Sequence, residues 1–207
     1  MTRRLGLFGG SFDPIHFGHL ITARAVAERL NLDRVLLIPA PIPPHKRANK
    51  LTPVEHRLAM IRGAIDGDPL FEASDIETRR PGPSYTIDTI AALRADVGAT
   101  AELFWIIGAD SLPELATWHR AADLVASVRI VAASRPGWSA PDLSTLERAV
   151  GKPALDRLLA DRCPTPEIDI SATNIRERIG MGRSVRYLTT SAVIAHIQQN
   201  RLYLPNA

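Results

Sequence analysis

The sequence predicts an α/β fold: a doubly wound parallel sheet with helices on both faces and a small helical part toward the C-terminal end. Three observations carry that expectation. Apolar runs at Arg34–Pro39 (RVLLIP), Leu103–Ile107 (LFWII) and Val128–Ala133 have the composition of strands covered on both faces. Segments of helical period separate them, so strand and helix patterns alternate along the chain. With 207 residues, 45% of them hydrophobic, the chain can bury one large core, and residues 1–207 are expected to form a single domain.

The elements follow in order. Leu5, Leu7 and Phe8 read as a buried strand, and Gly9 and Gly10 after them as a sharp turn close to whatever lies above the strand end. Pro14 stops further pairing, and Gly18 to Leu30 is a helix with Leu20, Ala23, Val26, Ala27 and Leu30 on one stripe. Arg34–Pro39 completes a strand–helix–strand unit, whose crossover is expected to be parallel and right-handed. A Pro-rich loop over Ala40–Lys50 leads to Thr52 and Pro53, an N-cap and first helical residue, opening a helix to about Ile65. Phe71–Ile76 is a short strand, and Ser84 is placed as cap of a helix containing Tyr85, Ile87, Ile90 and Leu93. Beyond the two central strands, Asp142–Val150 and Pro153–Leu159 read as helices, Glu167–Ile170 as a brief strand, and Ala172–Ile179 and Ser191–Gln199 as closing helices. Ser134–Pro141 is the expected flexible loop.

Composition excludes several function classes. A formal net charge of +3, with scattered basic residues and no aromatic-interleaved basic tract, argues against nucleic acid and favours small anionic ligands. One cysteine, Cys163, allows no internal disulfide and no CxxC zinc site, which suits a reducing cytoplasm. The apolar stretch after Arg3 and Arg4 is too short for a signal peptide, and no segment has the length of a membrane span. A cytoplasmic protein without a membrane partner is therefore expected.

The chemistry concentrates in Gly9–His19, GGSFDPIHFGH. His16 and His19 fall at the first turn of the first helix, where unpaired N–H groups and the positive end of the dipole favour an anion. Two imidazoles add donors suited to phosphate. No GxxxxGK[ST] occurs, and no GxGxxG follows a strand, so neither a P-loop nor a dinucleotide fingerprint is present. Asp13, His16 and His19, spaced at threes, are also a candidate metal set, although HExxH is absent. Further polar clusters follow other strands: Asp110 and Ser111 after Ile107, Arg135 after Ala133, and Ser171, Thr173 and Arg176 after Ile170. The last reads either as a second phosphate grip at a helix N-terminus or as a plain cap with a surface arginine.

Taken together, these stretches resemble the nucleotidyltransferases with a GGxFDPxHxGH signature, and within them the bacterial nicotinate-nucleotide adenylyltransferases. The resemblance spans nearly the whole chain: Ile170–Arg176 (ISATNIR) is similar to the family's ISSTxIR, and PPHK at Pro43–Lys46, GPSYTIDT at Gly82–Thr89, GADSL at Gly108–Leu112 and Trp118–Arg120 complete it. It implies a Rossmann-like sheet and the transfer of an adenylyl group from ATP, with Mg2+, to nicotinate mononucleotide, releasing pyrophosphate without a covalent intermediate. It implies His16 and His19 as catalytic residues. Gly9, Gly10, Ser11, Phe12, Gly108, Asp110, Ser171, Thr173 and Arg176 would bind ATP, and His45, Lys46, Thr86, Trp118 and Arg135 the mononucleotide. Trp118 would stack on the pyridine ring and Thr86 would present N–H groups to its carboxylate. Ala172 departs from the pattern, replacing the middle serine of ISST. A homo-oligomer stays open, as do two other readings: another transferase of the same superfamily, such as the phosphopantetheine enzyme, or a nucleotide-binding module without turnover.

Overall fold

A computed structural model of the chain describes residues 2–42, 51–134, 139 and 141–205. Six strands build one sheet: β1 (Arg4–Gly10), β2 (Arg34–Pro39), β3 (Phe71–Ala73), β4 (Glu102–Gly108), β5 (Arg129–Ser134) and β6 (Arg162–Pro164). Their order is β3-β2-β1-β4-β5-β6, and every neighbouring pair is parallel. The order runs outward in both directions from β1 and β4. In a doubly wound sheet that reversal leaves a crevice at the strand carboxyl ends where ligands bind.

The helices are α1 (Phe17–Leu30), α2 (Val54–Ala64), α3 (Thr86–Val97), α4 (Ala121–Ser127), α5 (Ser144–Val150), α6 (Lys152–Ala160), α7 (Ala172–Gly180) and α8 (Ser191–Gln199). Strand side chains alternate between two cores, one on each face of the sheet. Leu5, Leu7, Leu36, Ile38, Leu103, Trp105 and Ile107 meet Ile87, Ile90, Leu124, Leu146 and Leu155 from α3 to α6 on one face. Val35, Leu37, Phe104, Ile106 and Val131 meet Ala23, Val26, Met60, Ile61, Val193 and Ile197 from α1, α2 and α8 on the other. Burial on both faces is why the central strands read as continuous apolar runs. Among the described residues no helix is long and apolar enough to cross a membrane.

Four local expectations are corrected by tertiary contacts. The strand expected over Glu167–Ile170 is irregular; the sixth strand is Arg162–Pro164, where Cys163 is buried in register with Ala133 at the sheet edge. Glu167–Ile170 instead carries the chain to the start of α7. Gly9 and Gly10 do not form a turn: both stay paired in β1, opposite Ile38 and Pro39. They are required by close approach, since a Cβ at Gly9 would lie 2.6 Å from the Trp105 ring and one at Gly10 3.2 Å from the Phe12 ring. The left-handed residue of this loop is Phe12 itself, at φ 46°.

Helix starts shift as well. Thr52 does not cap α2: Pro53 takes the cap position, and Thr52 lies one residue earlier, with its N–H donated to the Asp13 carboxylate and its carbonyl accepting from Arg57. Ser84 does not cap α3; its hydroxyl is engaged with Glu77 and Tyr85 precedes the helix. The short α4 and two 3-10 turns, Ala109–Ser111 and Pro113–Thr117, have no counterpart in the sequence reading.

Phe104 is a buried member of the core on one face, 1% exposed, with the Arg4 and Arg129 guanidinium carbons 4.9 and 5.4 Å from its ring centroid. Phe104→Ala is expected to cost about 3–5 kcal/mol by cavity formation, read from the urea midpoint at constant m. A loss below about 1 kcal/mol would contradict this packing.

Candidate active site

The site forms where β1 and β4 end. A cavity of about 520 Å³ is lined by Phe8–Gly10 at the end of β1 and Ser11 after it, Ile106–Gly108 from β4, Ser84–Thr86 at the start of α3, and Thr117–His119. It therefore gathers Gly9, Gly10, Ser11, Gly108, Thr86 and Trp118 from four separate segments. Its walls combine apolar and aromatic side chains with a substantial set of polar groups. Glu77, Tyr85, Ser111, Glu114 and His119 also line it, and sequence reasoning assigned none of them a role. Tyr85, Ser111 and His119 lie inside the GPSYTIDT, GADSL and Trp118–Arg120 segments, whereas no motif contains Glu77 or Glu114. The Tyr85 and His119 rings lie 4.3 Å apart and join two walls.

The two histidines sit beside this cavity at the N-terminus of α1. His16 occupies the cap position in an extended conformation, and its N–H donates to His19 Nδ1 at 3.3 Å. An Nδ1 that accepts leaves the ring proton on Nε2, so this geometry assigns His19 the tautomer that donates through Nε2–H. The His16 ring stacks on that of His19, centroids 3.7 Å apart, while Phe12 and Phe8 pack edge-on against His19 at 5.0 and 6.1 Å. Phe12 is thus a wall for the histidine; its own side chain is 1% exposed.

Burial sets the charge of His16. It is 6% exposed, its Nδ1 has no hydrogen-bond partner among the described residues, and desolvation lowers its pKa to about 4. A neutral His16 lets two imidazoles stack without like-charge repulsion. Gly18 makes room for it: a Cβ there would lie 3.0 Å from His16 Nδ1 and 3.4 Å from the Ile170 carbonyl oxygen. The glycine of the HxGH motif therefore gives the His16 ring clearance that any side chain would narrow.

The second cluster joins the first through Arg176. Its guanidinium donates to the Asp13 carbonyl at 2.7 Å and to Thr173 Oγ1 at 3.1 Å, so α7 is bound directly to the signature loop. Ser171 is the N-cap of α7, its Oγ accepting from the Asn174 N–H at 3.1 Å. Ser171 and Thr173 are both exposed, and the open first turn of α7 flanks α1 across the Ile170–Gly18 contact. Asp110 is exposed beside Gly108, where a Cβ would collide with its carboxylate. His45, Lys46 and Arg135 lie outside the described residues.

Asp13 is not available as a metal ligand. Its carboxylate accepts from Thr52 N–H at 3.1 Å and Tyr203 O–H at 2.6 Å, and no group of three His, Cys, Asp or Glu among the described residues could hold a metal ion. Beneath it, Arg57 donates to the carbonyls of Ser11, Ala40 and Thr52 at 2.7 to 2.9 Å. Thr189 Oγ1 donates to the Ile15 carbonyl at 2.7 Å, and Phe17 N–H to the Leu188 carbonyl at 3.1 Å. Arg57, Thr189 and Tyr203 hold the loop from distant parts of the chain, and nothing local to the signature signals them.

A parallel sheet with a phosphate-suited helix terminus at its switch point defines a nucleotide-binding α/β protein. Comparison with known proteins narrows that class. The cytidylyltransferase-like family profile matches residues 7–178. A "Probable nicotinate-nucleotide adenylyltransferase" of Thermomicrobium roseum is 44% identical over 200 residues, covering 97% of this chain and 91% of the relative. A protein of the same name from Roseiflexus sp. is 46% identical, covering 96% and 97%. The solved structure of a Plasmodium falciparum nicotinic acid mononucleotide adenylyltransferase, complexed with NaAD, shares the fold at a TM-score of 0.74 and 16% identity, covering 97% of both chains. This chain belongs to the cytidylyltransferase-like family and, within it, to the nicotinate-nucleotide adenylyltransferases.

The burial of His16 has a measurable consequence. Its folded pKa, about 4, lies below the ordinary 6.5, so as pH falls the unfolded chain takes up this proton first. The stability this contributes is present above about pH 6.5 and is lost as pH falls toward 4, on the order of 3 kcal/mol in all. The His16 ring signals in an NMR titration are expected to stay constant from pH 7 through 5.5; a midpoint at 6 or above would contradict the buried neutral form.

Proposed function

We propose that this protein transfers the adenylyl group of ATP to nicotinate mononucleotide, giving nicotinate adenine dinucleotide and pyrophosphate in the biosynthesis of NAD. The observation that supports it best is the continuity of two half-sites. The β1 end, Gly9–Ser11, lines a cavity holding an aromatic residue and a helix N-terminus, and it runs directly into the loop carrying both histidines.

The chemistry requires little beyond alignment. The acceptor phosphate has a second pKa near 6, so at neutral pH it is already a nucleophile and requires no general base. Its oxygen attacks the α-phosphorus of ATP in line, the bond to the bridging oxygen breaks, and pyrophosphate leaves with the electron pair. Donors fixed where that charge gathers carry most of the catalysis. His19 Nε2–H, the α1 N-terminus and neutral His16 face the phosphates, with His19 nearest the departing pyrophosphate. Ser171, Thr173 and Arg176 grip the β- and γ-phosphates; to do so Arg176 turns from the Asp13 carbonyl or shares its donors with it. Magnesium enters with ATP as part of that substrate, its ligands phosphate oxygens and water, which asks no dedicated cage of the protein.

On the acceptor side, Trp118 stacks on the pyridine ring and the Thr86 end of α3 meets its carboxylate. His45 and Lys46 meet the mononucleotide phosphate, and Arg135 and Asp110 lie near the nucleotide. A carboxylate accepts two N–H bonds, whereas a carboxamide sets its own NH₂ against one of those donors. Such a cytoplasmic enzyme works on two small anions and asks for no nucleic acid or membrane partner.

Two outcomes are expected. Pyrophosphate release from ATP is supported by nicotinate mononucleotide in preference to nicotinamide mononucleotide and to phosphopantetheine, measured as kcat/KM with each acceptor in turn; equal values for the acid and the amide would overturn the carboxylate assignment. His19→Ala loses about 2.7–4 kcal/mol of transition-state stabilisation, roughly 100- to 1,000-fold in kcat, with its circular dichroism unchanged. Near wild-type turnover would remove His19 from the chemistry.

A further inference from the structure

Glu77 is a buried carboxyl that the reaction above does not use, yet it lines the cavity. It is 5% exposed, and burial pushes its pKa up. Its side chain reaches two points on the wall formed by α3. Glu77 Oε1 accepts from Thr89 Oγ1 at 2.7 Å, and the Ser84 hydroxyl lies near enough to the same carboxylate to work against the effect of burial on its pKa. The Thr89 proton is committed to Glu77 rather than to the Tyr85 carbonyl, which lies 3.3 Å away. Thr89 Oγ1 in turn accepts from Arg80 at 2.7 Å. Glu77 thus ties a residue before α3, Ser84, to one in its first turn, Thr89, and Arg80 offsets the carboxylate charge.

The turn clamped in this way is the cavity wall Ser84–Thr86. Ser84 N–H donates to the Ile42 carbonyl at 3.1 Å, so the same turn is tied to the segment that continues from β2. A free carboxylate facing an anionic acceptor would repel it. A carboxylate that accepts from Thr89, with the Arg80 guanidinium on the far side of that hydroxyl, repels it less.

We infer that Glu77 is a positioning residue for the acceptor, fixing the Ser84–Thr86 turn so that the N-terminus of α3 meets the acceptor's anionic group. The inference rests on the proposed function and adds a residue to it. Because Glu77 lies in the wall shared with the acceptor and makes none of the contacts to the signature loop, its loss separates the two substrates.

The test is a steady-state comparison of wild type with Glu77→Ala, Glu77→Gln and Thr89→Val, varying ATP and nicotinate mononucleotide separately. Glu77→Ala is expected to raise the acceptor KM about tenfold while the ATP KM stays within twofold and kcat within threefold. Glu77→Gln keeps an acceptor for Thr89 and a partner for Ser84, and restores the acceptor KM to within threefold of wild type. Should Glu77→Ala fail to fold by circular dichroism, Thr89→Val, which keeps the carboxyl and removes its donor, is expected to show the same selective rise. An unchanged acceptor KM in the folded variants, or equal rises for both substrates, overturns the assignment of Glu77 and leaves the proposed function standing. Wild type that releases no pyrophosphate with nicotinate mononucleotide overturns the function, and with it the assignment of this wall to that acceptor.

Discussion

Burial of the Arg57 guanidinium beneath the signature loop is the constraint from which the rest of the site follows. An ionised side chain at 1% exposure is tolerated only with its donors satisfied and its charge answered. Arg57 meets both conditions by binding the carbonyls of Ser11, Ala40 and Thr52 with Asp13 nearby to balance it. Those carbonyls belong to three segments: the loop after β1, the residue after β2 and the entry to α2. One buried cation therefore sets where the ends of the two strands and a helix meet, directly below the histidines.

Asp13 extends that constraint to the C-terminal part of the chain. Its carboxylate takes Tyr203 O–H, and its backbone carbonyl takes Arg176, so α7 and the turn after α8 close on the loop that carries His16. Desolvation by burial, with the negative charge of Asp13 and the hydrogen bond to it, pushes the Tyr203 phenol well above its ordinary range, which keeps it a proton donor. The result is a loop held on every side, and a held loop is what electrostatic catalysis demands: donors that are already in place do not have to be reorganised as charge moves. His16 pays for this rigidity with its own charge. It stays neutral under His19, which accepts the His16 N–H through Nδ1 and so keeps its proton on the other nitrogen.

The acceptor side is built on a different principle. Its cavity lies between α3 and the Thr117–His119 segment and mixes aromatic walls with polar groups from the start of α3, the Glu77 network, the β1 end and Ser111, Glu114 and His119. Glycine serves both halves by clearance. Gly9, which reads in sequence as a turn, leaves no room for a Cβ beside the Trp105 ring, and Gly18 gives the His16 ring a clearance that a Cβ would narrow to 3.0 Å.

Much of this was legible in the sequence. The central strands, the helical stripes of α1 and α3, the placement of His16 and His19 at a helix start, and Ser171 at the start of α7 all follow from local pattern, because periodicity and capping chemistry act over a few residues. The same pattern misplaced the edge strand at Glu167–Ile170, whose E-I-D-I alternation mimics a strand while pairing with β5 selects Arg162–Pro164, and it misread Gly9 and Gly10 as a turn. Arg57, Glu77, Tyr203 and Thr189 were silent. Each looks like an ordinary surface or helical residue until the fold places it 46, 12, 190 or 174 positions from its partner.

The sequence by itself therefore determined the fold class, the position of the two phosphate-suited helix starts and the family to which the chain belongs, since these are written in short motifs and in the period of apolar residues. Only the tertiary structure decided which side chains lose their water. That choice made Arg57 an internal anchor, Asp13 a structural acceptor instead of a metal ligand, His16 a neutral imidazole and Glu77 a brace, because desolvation depends on what distant segments bring to bear on a residue and not on its neighbours in the chain.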